Sequence, residues 1–228
     1  ERVQRAHVVQ PVRQLHQDDA RVLRHRQQQL AVVLDLLLRR RAELHLADLG
    51  DAIHDVGDLV TELGDGSGEQ DATVARLDEI RASLRLLQAR LPMPATVDEA
   101  DFHLTLAFLG EQPDHVLQDI HEGLSELRMP PFTLELAAVN SFGSAKPRVV
   151  WAGVAPSEAL SRLQAKVAQV VVRAGVHAQA KGYAPHVTLA RLHAPDPDTD
   201  ARLSAAMAMR QDYRAGPWQV SEFALYAS

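Results

Sequence analysis

The chain has 228 residues, a formal charge of −6, and 46% hydrophobic against 24% charged residues, ordinary values for a globular protein able to bury a full core. It has no cysteine, which excludes disulfides and thiolate metal centres and suits a cytoplasmic protein. No apolar run reaches the roughly 20 residues of a membrane span, no signal-peptide pattern opens the chain, and the negative charge argues against holding long nucleic acid by charge alone.

Residues 1 to 70 have a texture of their own. "ARVLRHRQQQLAVVLDLLLRRRAELHLADLG" reads as helix, with Val22, Leu23, Leu30, Val33, Leu34, Leu37 and Leu38 at helical spacing and Gly50 as a stop. "DAIHDVGDLVTELG" reads as a shorter helix, and "GDGSGEQD" as a flexible linker. The histidines at 7, 16, 25, 45 and 54 have no common ligand spacing and read as a solvated face, so no metal and no cofactor is expected. A helical or poorly ordered extension over 1–70, dispensable for activity, and a functional domain over 71–228 are the expected division.

Beyond Asp71 strands and helices alternate. "ATVARL" reads as a short strand and "DEIRASLRLLQARLP" as an amphipathic helix with Ile80, Leu84, Leu87 and Leu91 on one face. The strand "FHLTLAFLG" follows, then a helix "PDHVLQDIHEGLSEL" and two strands, "FTLELAAVNSF" and "RVVWAGV". "PSEALSRLQAKVAQVVVRAG" is a long helix closed by Gly175, "PHVTLARL" a strand, Asp200 to Met209 a helix and "WQVSEFALYA" a last strand. The mixture suits an α+β fold.

Two of these strands repeat a phrase. In "FHLTLAF", alternation puts Phe102, Leu104, Leu106 and Phe108 on one face and His103, Thr105 and Ala107 on the other. "PHVTLAR" does the same, with Val187 and Leu189 inward and His186 and Thr188 outward. A groove holding two imidazoles and two hydroxyls suits phosphodiester hydrolysis. A neutral histidine takes a proton from water, a protonated one gives a proton to the leaving oxygen, and the threonines donate to the non-bridging oxygens. A histidine titrates near 6.5, so both forms exist around neutrality without a metal.

The blocks "FHLTLAFLGE", "SFGSAKPRVVWAGV" and "YAPHVTLARL" resemble the 2H phosphoesterases, and within them the bacterial RNA 2′,3′-cyclic phosphodiesterases, also called 2′-5′ RNA ligases. The resemblance runs from about Asp78 to Ser228. It implies a bilobal fold of two antiparallel sheets facing a groove, and opening of a 2′,3′-cyclic phosphate to a 2′-phosphate. It implies His103 as the acid, His186 as the base, and Thr105 and Thr188 as phosphate contacts. Arg191 resembles the arginine closing the family's second motif; strict alternation sets it on the face opposite His186, so that role requires the strand to end or bulge there. Arg148 is a candidate for lining the groove. Phe108 is a candidate for stacking a base, but its parity places it in the core. The family's opening strand is represented only by "ATVARL", and its strand after "FALYAS" is expected to be missing.

RNA 3′ ends or cyclic nucleotides are the expected partners of a monomer with no membrane association. A phosphodiesterase of small cyclic nucleotides or of ADP-ribose cyclic phosphate, and a non-catalytic module binding RNA ends, are the alternatives.

Overall fold

The computed structural model describes residues 30–35, 67–143, 147–177, 182–193 and 196–227. Alternating apolar residues make the strands, and leucine and valine at three- and four-residue spacing make the helices. In chain order these are β1 (Leu30–Asp35), α1 (Ser67–Ala89), a 3-10 turn (Glu99–Asp101), β2 (His103–Gly110), α2 (Asp114–Ser125), β3 (Phe132–Phe142), β4 (Val149–Val154), α3 (Glu158–Arg173), β5 (His186–Arg191), α4 (Pro197–Ala208), β6 (Arg214–Val220) and β7 (Ala224–Ala227). Side-chain caps start two helices. Ser157 accepts from the Leu160 N–H ahead of α3, and Asp196 accepts from the Asp198 and Thr199 N–H groups ahead of α4.

The strands form one seven-stranded sheet in the order β6-β3-β4-β5-β2-β1-β7, with every pair antiparallel. Two separate sheets are what the repeated motif suggests. Here two blocks of strands are instead joined at a narrow seam, where β2 and β5 share one registered pair, Leu104 opposite Val187. The core lies between the sheet and its helices. Leu104, Leu106, Val187 and Leu189 are buried from the motif strands, meeting Ile80, Leu84 and Leu87 of α1 and Leu160, Leu163, Val167 and Val171 of α3. Each such leucine contributes about 1.5–3 kcal/mol by burial. Helix α1 packs on β5 and β6, α3 on β2, α2 on α3, and α4 on β3.

Four expectations are corrected. Leu30–Asp35 is a strand paired with both β2 and β7, not part of a helix, so these residues belong to the sheet and not to a separate extension. An unbroken apolar run has no period that separates a helix from a buried strand, and pairing on both edges decides it. "ATVARL" lies within α1, which begins at Ser67, inside the stretch read as a linker. The last strand is two, because "WQV" ends β6 while β7 crosses to the far edge beside β1. The C-terminal segment thus supplies an edge strand. The rest of the expected N-terminal helices lies outside the described residues.

Candidate active site

The site is built on the seam. Extending the antiparallel register one residue either side of the Leu104–Val187 pair sets His103 across from Thr188 and Thr105 across from His186. On that extension the two histidines are diagonal neighbours across the seam. All four side chains are half-buried, while Leu104, Leu106, Val187 and Leu189 between them are buried in the core. The charge of His103 and that of Arg191 both act on His186.

Each imidazole is anchored in the same way. His103 Nδ1 lies 2.7 Å from the Asp101 carbonyl, and His186 Nδ1 lies 2.7 Å from the Ala184 carbonyl. A carbonyl only accepts, so each Nδ1 carries the hydrogen and donates it. That fixes the tautomer, with the hydrogen of each neutral ring on Nδ1 rather than Nε2. The pKa of His186 is lowered from its ordinary 6.5, first because burial penalises the charged ring and then through the charges of His103 and Arg191, against the opposing pull of the Ala184 carbonyl. His186 is therefore disposed to stand neutral.

Both strands carry an extra residue after the threonine. On β5, Thr188 pairs with Trp151 and Ala190 with Val150, so Leu189 has no partner of its own. On β2, Thr105 pairs with Val33 and Ala107 with Val32, leaving Leu106 in the same position. A bulge of this kind resets the alternation. In β5 two consecutive residues, Leu189 and Ala190, are buried, and Arg191 is exposed. Arg191 thus shares the face of His186 and Thr188, which strict alternation denies it. Phe108, expected in the core, is 40% exposed, and Ala107 packs toward the core in its place. Phe108 and Arg191 hold equivalent places in the two motifs. Arg148 is exposed, just before β4, and its carbonyl accepts from the Leu192 N–H at 2.7 Å, so its backbone runs beside the end of the second motif.

Three residues that motif reasoning passed over surround His186. The Phe142 ring meets the imidazole edge-on with centroids 5.0 Å apart, and the Trp151 ring lies 5.6 Å away, tilted by 48°. Phe142 and Trp151 are themselves 5.0 Å apart. Gly153 pairs directly with His186. A Cβ there would come within 2.7 Å of the Ala137 carbonyl oxygen and 3.2 Å of the Trp151 ring, so the glycine leaves room for the indole to lie beside the imidazole. The available signal was parity, because Trp151 and Gly153 alternate on one face of a strand. Their distance from the motif hid it. Among the described residues no group of three or more histidine or acidic side chains is placed to hold a metal, and no helix is long and apolar enough to cross a membrane.

Comparison with known proteins agrees with this architecture. A protein from Aeropyrum pernix named RNA 2′,3′-cyclic phosphodiesterase is 36% identical over 121 residues, covering 52% of this chain and 67% of its own length. Proteins of the same name from Escherichia coli K12 and Geobacillus stearothermophilus are 32% and 36% identical, over 56% and 44% of this chain. The chain spans 66% of the E. coli relative and 33% of the Geobacillus one. A crystal structure described as a phosphoesterase superposes with a TM-score of 0.56 at 22% identity, covering 89% of each chain, and E. coli LigT complexed with NADP+ does so at 0.54 and 23%, covering 88% and 87%. At such identity these two show a shared fold. The family description "2′-5′ RNA ligase superfamily" matches residues 70–228, most of the chain and both motif strands, and the protein belongs to that superfamily.

Proposed function

We propose that the protein hydrolyses RNA 2′,3′-cyclic phosphate ends to 2′-phosphates with a two-histidine acid–base pair. The observation that carries the reading is the pair of imidazoles on the two strands of the seam, each with Nδ1 committed to a backbone carbonyl and each two residues from a half-buried threonine. The relatives' shared name supports the substrate class. In this reading the sheet is two lobes hinged at Leu104–Val187, each presenting one motif to a common groove, and the protein works as a cytoplasmic monomer.

His186 is the base, because its aromatic surroundings and the nearby positive charges favour the neutral ring. His103 is the acid. Nε2 of His186 takes a proton from water as the water oxygen bonds to phosphorus. The bond from phosphorus to O3′ breaks, and O3′ receives the proton from Nε2 of His103. The products are a 2′-phosphate and a 3′-hydroxyl, and proton exchange with solvent resets the pair. Thr105 and Thr188 donate to the non-bridging oxygens as their charge builds, and Arg191 pairs with the phosphate. Phe108, exposed beside the first motif, offers a face for the terminal base. A 5′-hydroxyl in the place of water would give a 2′-5′ link by the same steps.

An oligonucleotide ending in a 2′,3′-cyclic phosphate tests the reading. Conversion to the 2′-phosphate, undiminished by EDTA, is expected. Turnover of cyclic mononucleotides alone would reassign the substrate, and binding without turnover of either would leave only an RNA-end binding module.

A further inference from the structure

The extra residue of each motif strand presents a carbonyl that a helix side chain reaches. On β5 the Leu189 carbonyl accepts from the Val97 backbone N–H at 2.9 Å and from the side-chain amide of Gln88, on α1, at 2.9 Å. The same amide donates to the Val97 carbonyl at 2.8 Å, which ties α1, the approach to β2, and β5 together. On β2 the Leu106 carbonyl accepts from the amide of Gln164, on α3, at the longer distance of 3.5 Å. Two glutamines on two helices thus meet the corresponding atom of the two motifs. A half-buried amide among leucines is costly unless bonded, so packing alone does not account for either residue.

We propose that Gln88 is a positioning residue for phosphate binding: it pins the extra residue of β5 and so keeps Arg191 turned into the groove. The inference rests on the reading of Arg191 as a phosphate contact. Without the extra residue, alternation from His186 would carry Arg191 to the opposite face. With it, Arg191 acts on His186 through its charge. Gln88 therefore reaches the phosphate only through Leu189 and Arg191. Gln164 holds the equivalent position behind Phe108 with a weaker contact.

Gln88→Met keeps the length of the side chain and removes its donor. The Leu189 carbonyl retains the Val97 N–H, so the variant is expected to fold, which its thermal melt checks. Binding is read with inorganic phosphate, followed by NMR of the histidine resonances, and this readout stands whether or not cyclic phosphate ends are the substrate. Phosphate affinity is expected to fall roughly threefold to tenfold. Where the cyclic phosphate is turned over, KM rises by a similar factor and kcat changes less. In an Arg191→Ala background the same substitution is expected to add almost nothing, because both act through one contact. Gln88→Lys, which still donates, should keep most of the affinity. Unchanged affinity in Gln88→Met, or an equal loss with and without Arg191, would overturn the proposal. So would lost affinity in a Gln88→Lys protein that melts normally, and this variant alone decides the matter if Gln88→Met does not fold.

Discussion

Strands β2 and β5 carry "HLTLAF" and "HVTLAR" with the same anchor on Nδ1 and the same extra residue, yet they lie beside different neighbours. Next to β5, Trp151 pairs with Thr188 and Gly153 with His186; next to β2, Val33 pairs with Thr105 and Asp35 with His103. After the bulge one motif presents an arginine and the other a phenylalanine. The repeated phrase supplies two imidazoles anchored alike. The adjoining strands make them unequal, and the proposed hydrolysis, with an acid on one side and a base on the other, needs that inequality.

Removing the neighbour of one motif and not the other is the harshest way to probe this. Residues 1–70 read from the sequence as dispensable or as cover for an open edge; deleting them takes away β1 and leaves β2 and β7 with open edges. The truncated protein is expected to aggregate or to lose its cooperative melt. Soluble, active protein would show that β2 keeps its shape without β1.

Substituting the histidines one at a time comes next in size. His103→Ala and His186→Ala should each lower kcat by about 10²–10⁴. The pH profiles of the residual activity should differ, with His186→Ala losing the acidic limb and His103→Ala the alkaline one. Loss of the same limb in both would mean that the two histidines share their roles.

The smallest effect is the most discriminating. Because His186 is held below its ordinary 6.5, it is neutral through the neutral range and the acidic limb of kcat/KM should lie below that value. Trp151→Val, which gives β4 the residue that β1 has at the equivalent position, should rehydrate the imidazole and move the limb to higher pH. Stability carries the same sign. The unfolded chain takes up this proton more readily than the folded one, so the native protein loses stability as pH falls through 6.5, and less so in the variant. A limb that stays in place would remove the indole from the account.

The sequence made the shared face of each histidine and its threonine legible, because a strand's two-residue period is local and strong. Parity alone places Phe108 in the core and lets Arg191 share the face of His186 only through a bulge, which depends on pairing with β1 or β4 and leaves no local mark. Leu30–Asp35 was misread for a related reason. Val32 and Val33 fit a helix or a buried strand equally well until β2 and β7 are there to pair with them. What could be read was periodicity; what could not was decided by residues distant in the chain.

The pairing of Leu30 with Ala227 and of Val33 with Ala224 has a consequence for how the molecule assembles. β1 can meet β2 once that strand has been made, but its other edge waits for β7, which every other described element precedes. Contacts so remote in sequence are slow to form. Until they do, a strand of unpaired backbone groups lies open beside the half of the sheet that carries His103. A nascent chain stalled before β7 would therefore expose a sticky edge, which Ala224–Ala227 cover once they are made.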